Sequence, residues 1–239
     1  MFMYRKLKLD DGSKRCFSKS AEVDSQSRGC FLKIAVSNWA LFQASHDEAD
    51  METYIDFLAG IATGDKSCLG KKRKPDILIV REKQLPEADY VKLFVSLWQK
   101  CGEMVGRQTR IIPHTYLSAA KETGCGWLHL PLPVFQKRQK NGMFADMEIG
   151  TSVHSVAEAE TAQKLGASYV TAGHIFTTDC KKDVSPRGIE FLEEVCAAVD
   201  IPVYAIGGIH AKNLSLIRES SASGACMMSE YIFSPMGKT

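Results

Sequence analysis

Residues 168–188 read S-Y-V-T-A-G-H-I-F-T-T-D-C-K-K-D-V-S-P-R-G, and residues 202–209 read P-V-Y-A-I-G-G-I. In the first stretch an apolar, β-branched run stops at Gly173, sets His174 just past its end and opens a polar loop carrying Lys181 and Lys182. A buried strand that ends in an ionisable side chain and a long loop is where α/β enzymes keep their chemistry. The pattern recurs outward from there. Short apolar segments at 31–37, 76–81, 109–112, 126–130, 147–152, 168–171, 202–206 and 224–228 read as eight strands. Between most of them lie helical periods, as at 50–62, 88–104, 157–165 and 188–199. Strand–helix alternation implies a parallel sheet, and eight units imply an α/β fold closed as a (β/α)8 TIM barrel. The segment 131–141 is only weakly helical and eleven residues follow Met228, so the eighth helix is read as short or missing.

The chain of 239 residues, 45% hydrophobic, suits one barrel domain over 31–239 preceded by an N-terminal extension over 1–30. That extension reads as a hairpin about Asp10-Asp11-Gly12 or as disordered chain. A net charge of +2 gives no electrostatic case for nucleic acid, and the run Lys71-Lys72-Arg73-Lys74 reads as a solvated loop. The eight cysteines form no C-x-x-C pair, which argues against both a zinc site and a disulfide framework and for reduced thiols. With no apolar stretch of membrane-spanning or signal length, the expectation is a cytoplasmic protein with no membrane partner.

In such a barrel the C-terminal strand ends converge on one mouth, so polar residues after each apolar run are the candidate site. They are Arg81 and Lys83, His114, His129, Ser152 and His154, His174, Gly207-Gly208, and Met228-Ser229. Arg81 and Lys83 flank Glu82 and so face the same way, forming a cationic floor for a carboxylate or phosphate. The Gly207-Gly208 pair offers N–H groups with no Cβ to keep an anion away, and the Met228-Ser229 loop completes a phosphate cup. An imidazole at a strand end, as at His174, can remove and return a proton. His154 is read as a capping or packing residue at a helix start, His129 as a core histidine, and His46 and His210 as loop residues without a role. Lys181 and Lys182 are a possible lid over an anionic ligand.

Six segments carry a resemblance: I-L-I-V-R-E-K at 77–83, I-G-T-S-V-H-S at 149–155, G-H-I-F-T-T-D-C-K-K-D at 173–183, R-G at 187–188, A-I-G-G-I at 205–209 and M-M-S-E-Y-I-F at 227–233. In this order they resemble the thiamin phosphate synthase superfamily and, within it, the TenI-type thiazole tautomerases. The synthase branch carries Q-x-R-x-K on its second strand, Asn-Asp after the third and Asp after the fourth, which hold magnesium and a pyrimidine pyrophosphate. Here Ile79 replaces the Gln, His114-Thr115 replaces Asn-Asp, and 130–133 has no carboxylate. Gly173-His174 stands where the synthases have Gly-Pro, as in the tautomerases.

The resemblance implies an isomerase with neither metal nor cofactor, which aromatises a thiazole phosphate carboxylate tautomer by proton transfer through His174. It assigns Gly207, Gly208, Met228 and Ser229 to the phosphate, Arg81 to the carboxylate and Ser152 to a further contact, and it implies a homodimer. His114 departs from the Asn common to both branches. Two alternatives stand beside this reading: a magnesium-dependent thiamin phosphate synthase, and a non-catalytic regulator that binds a thiazole phosphate.

Overall fold

The computed structural model describes residues 30–47, 49–102, 109–139, 142–144, 146–178 and 184–233. The hairpin reading of the N-terminal extension and the lid lysines Lys181 and Lys182 lie outside the described residues. Eight parallel strands form one sheet: β1 Leu32–Val36, β2 Ile77–Val80, β3 Arg110–Pro113, β4 Trp127–Pro131, β5 Glu148–Val153, β6 Tyr169–Gly173, β7 Val203–Ile206 and β8 Gly224–Met227. Their order is β3-β2-β1-β8-β7-β6-β5-β4, with β8 paired to β1 from Leu32↔Gly224 to Ala35↔Met227. The ring is nearly rather than fully closed. Between β3 and β4 the ladder shrinks to a single bridge, His114↔His129, with Thr115 N–H donating to the His129 carbonyl at 2.8 Å. The two histidine rings stack across this seam at 5.3 Å.

Strand parity sorts the side chains into two layers. Leu32, Ile34, Val36, Ile77, Ile79, Ile112, Tyr169, Tyr204 and Cys226 fill the barrel interior. The alternate positions, such as Ala35, Leu78, Val80, Leu128, Val170 and Ala205, pack outward against the helices. Gly150 makes room for an interior tyrosine, since a Cβ there would enter the Tyr169 ring, whereas a Cβ at Gly224 would collide first with the Leu32 carbonyl oxygen of the neighbouring strand.

The expected helices appear as α2 Met51–Thr63, α4 Glu87–Gly102, α7 Val156–Lys164 and α8 Gly188–Ala198, and the weak pattern near 131–141 becomes α6 Leu132–Gln139. Asp50 and Thr53 close a capping box at the start of α2, and left-handed Gly64 ends it at φ 92°. The shorter α1 Trp39–Ser45, α3 Lys66–Leu69, α5 Leu117–Thr123 and α9 Leu214–Glu219 complete the outer ring. Among the described residues α10 Ser229–Ile232 alone follows β8, in keeping with the short or missing eighth helix read from the sequence. The basic run clamps it in place: Lys72 Nζ donates to the Phe233 carbonyl at 2.8 Å, and Tyr231 donates its hydroxyl to the Arg73 carbonyl at 3.1 Å. No helix among the described residues is long and apolar enough to cross a membrane.

Candidate active site

At the C-terminal mouth lies a cavity of about 360 Å³. Its lining gathers Arg81, Lys83, His114, Ser152, His174, Gly207, Gly208, Met228 and Ser229, every described residue assigned to the site from sequence. No Asp or Glu stands among the described lining residues.

Parity explains the cations. Ile77 and Ile79 point into the barrel, so Arg81 and Lys83, continuing the same alternation beyond β2, face the cavity. Glu82 has the opposite parity and is buried in the helix layer. Burial pushes its carboxyl above the usual carboxylate range, opposed by hydrogen bonds from Ser37, Tyr54 and Trp39.

His174 is buried and held on both sides by backbone. The Ile175 and Phe176 N–H groups each donate at 3.0 Å to the carbonyls of Ile206 and Gly207, and Arg187 N–H donates to the His174 carbonyl at 3.0 Å. Its Nε2 lies 3.1 Å from the Val184 carbonyl. A carbonyl only accepts, so Nε2 carries the hydrogen and Nδ1 keeps its lone pair. Nδ1 is buried with no hydrogen-bond partner.

His154 departs from the sequence reading. It shares the parity of Gly150 and Ser152, faces the cavity, and donates from Nδ1 to the Gly173 carbonyl at 2.7 Å, so it fixes the peptide that carries His174. The helix start at Ser155 is capped by Ser155 itself, whose Oγ accepts from Glu158 N–H. The signal was available in the S-V-H spacing, where 152 and 154 alternate together.

His129 is the core histidine that the sequence implies, and it also braces the site. Its Nε2 meets Ser152 Oγ at 2.9 Å and its Nδ1 meets Tyr169 Oη at 3.0 Å, while Thr171 donates to Ser152 at 3.0 Å. Burial and then Arg81 push the His129 imidazole down to about 3. His114, with Nδ1 2.6 Å from Thr115 Oγ1, is held well below the usual histidine range by burial first, then by His129, Arg81 and Lys83. Both imidazoles are therefore neutral, and among the described residues the fixed charge at this mouth comes from Arg81 and Lys83.

The glycine pair needs its bare backbone for a different reason from the one read in the sequence. A Cβ on Gly207 would collide with His174 Cβ and come within 2.7 Å of its Cα; one on Gly208 would come within 2.7 Å of the Phe176 carbonyl oxygen. Both residues sit at positive φ, 100° and 67°. The pair lets the loop after β6 lie against the end of β7, and the N–H groups of Gly207, Gly208 and Ser229 have no acceptor among the described residues. These donors, beside Arg81 and Lys83, make the cavity fit for an anion.

A family model described as thiamine monophosphate synthase matches residues 66–231. The chain is 31% identical over 156 residues to the thiamine-phosphate synthase of Syntrophomonas wolfei, covering 63% of this chain and 71% of that protein. It is 28% identical over 183 residues to that of Fusobacterium nucleatum, covering 71% and 86%. Among solved structures it is similar to a thiamine phosphate pyrophosphorylase from Pyrococcus furiosus, with TM-score 0.64 and 23% identity over 85% of this chain and 89% of that one, a likeness in fold.

Proposed function

The chain belongs to the thiamine monophosphate synthase family, and from that premise we propose that it is an enzyme of thiamin biosynthesis that binds a phosphorylated thiazole in the mouth cavity and moves a proton on it through His174. The observation that carries the proton-transfer reading is His174 itself. Its Nδ1 lone pair is unpartnered, its backbone is locked, and the cavity it lines sets Arg81 and Lys83 in a largely apolar wall. Aromatising a thiazole tautomer requires a base at the donor carbon and return of a proton elsewhere, and one imidazole can serve both steps if the ring stays in place. The N–H groups of Gly207, Gly208 and Ser229 suit the phosphate, and Arg81 with Lys83 suits a carboxylate on the ring.

A second reading, thiamin phosphate synthesis, has the names of the similar proteins in its favour. It calls for a magnesium ion and therefore for hard oxygen ligands. The described lining does not fit one: it presents Arg81, Lys83 and three histidines, and Glu82 is turned into the helix layer. The observed side chains therefore favour proton transfer.

The test is the rate of thiazole aromatisation in a thiazole synthase-coupled reaction without added magnesium, comparing wild type with His174→Ala. Acceleration by wild type alone supports the proposal. If neither protein accelerates it, and wild type instead makes thiamin phosphate from the two phosphorylated precursors when magnesium is added, the synthase reading replaces it.

A further inference from the structure

Glu82 is the only carboxylate among the buried polar residues of the described chain, and it sits between the two cations of the cavity. Burying a carboxylate costs several kcal/mol unless its oxygens are satisfied, and an apolar side chain of the same size would cost less. Here both oxygens are satisfied, by groups from separate parts of the fold. Oε1 accepts from the Ser37 hydroxyl and from Tyr54 Oη at 2.5 Å; Oε2 accepts from Trp39 N–H at 2.7 Å. Ser37 in turn accepts from Arg81 N–H at 2.8 Å and donates its own N–H to the Ile79 carbonyl at 3.0 Å. The end of β1, the start of α1, the first turn of α2 and the segment after β2 are thus tied to one carboxylate. The peptide that presents Arg81 is part of the ring.

We propose that Glu82 is a positioning residue: its bonds to Ser37, Trp39 and Tyr54 hold residues 81–83 in place so that Arg81 and Lys83 together grip the anionic group of the ligand. The inference rests on the cavity taking an anion and not on which reaction follows. A glutamine at 82 keeps the size but removes the charge: with its oxygen on the Trp39 N–H, its NH2 faces the Ser37 and Tyr54 hydroxyls, which must turn from donors into acceptors, and the charge-assisted ties become weaker neutral ones. The two cations then no longer share one fixed geometry.

The test is calorimetric titration of the full chain with inorganic pyrophosphate, on wild type, Glu82→Gln, Arg81→Gln/Lys83→Gln and the triple variant. Glu82→Gln is expected to weaken binding tenfold or more in the wild-type background and less than twofold when both cations are already gone. A structural lesion would act equally in both backgrounds, and that result overturns the proposal. So does undiminished binding in a folded Glu82→Gln protein, or failure of wild type to bind pyrophosphate. If Glu82→Gln fails to fold, Ser37→Ala, which removes the shared hydroxyl and leaves the carboxylate, is expected to show the same dependence on Arg81 and Lys83; equal weakening in both backgrounds refutes it there as well. Loss of aromatisation activity with this coupling intact would sink the proton-transfer reading and leave the clamp standing.

Discussion

Substituting alanine at Gly207 tests whether the glycine pair serves His174. The added Cβ would collide with His174 Cβ and stand 2.7 Å from its Cα. Carbon atoms rest about 3.5–4.0 Å apart, so one backbone has to retreat by about 1 Å. The loop after β6 cannot retreat freely, because Ile175 and Phe176 donate to the carbonyls on either side of the new methyl group, Ile206 and Gly207. A misplacement of about 1 Å in a reacting group costs on the order of 100-fold in rate. The backbone at φ 100° adds strain of about 1–3 kcal/mol for a residue with a Cβ. At roughly 2–4 °C per kcal/mol for a chain of this size, the melting temperature should fall by about 5 °C. The assay is aromatisation rate beside a thermal melt. Gly124→Ala is the control, since Gly124 also has positive φ, 68°, but a Cβ there meets nothing within 4 Å. It should lose about 1 kcal/mol of stability and no turnover. A folded Gly207→Ala protein with turnover within about threefold of wild type would refute the placement of His174 as the reacting group.

Two further outcomes follow from the barrel interior. His129 and His114 are both depressed below the ordinary histidine value of about 6.5, so their contribution to stability is complete above that pH and is lost as pH falls toward the folded values; between about pH 6 and 5 urea midpoints should record a decline approaching 3 kcal/mol per pH unit, and His129→Gln should about halve that slope, whereas an unchanged slope would mean the ring is not buried neutral. Gly150→Ala drives a methyl group into the fully buried Tyr169 ring and should cost about 3 kcal/mol in denaturant titration, most of it recovered by adding Tyr169→Leu; no recovery would show that the cost does not arise from this contact.

The strands were legible because each carries a compact, largely buried run, β-branched in Ile77–Val80 though not in Gly224–Met227, and the four longest helices because they repeat their apolar period over nine or more residues. Helices of four to seven residues, such as α3 and α5, hold too little period to register. At the site, residues that end strands could be read one by one: the parity of Arg81 and Lys83 and the position of His174 follow from local spacing alone. What could not be read were the partners. Tyr54 and Ser37 meet Glu82 across 28 and 45 residues of chain, and the His154 bond to the Gly173 carbonyl spans 19. Those pairings exist only once the ladders set which strand ends lie side by side. The Gly207-Gly208 pair shows the limit most sharply, since a dipeptide that suits an anion by its chemistry turns out to need its bare backbone to make room for a neighbouring loop as well.

Parity also explains how one strand end serves two layers without conflict. Past Val80, where β2 gives way to a turn, residues 81 and 83 keep the cavity-facing direction and residue 82 the helix-facing one. The helix-facing residue can be fixed by the packed shell, where Tyr54 and the start of α1 do not move with the ligand, while the cavity-facing pair is exposed to whatever the mouth binds. β5 repeats the division: Val153 packs outward in the apolar shell, while Ser152 and His154 face the cavity. In such a mouth the outward positions govern geometry, and the inward positions are free for chemistry, although His154 faces inward and also fixes the Gly173 peptide. A change at a cavity-facing position can therefore alter what the mouth binds and leave the bonds from Ser37, Trp39 and Tyr54 to Glu82 in place.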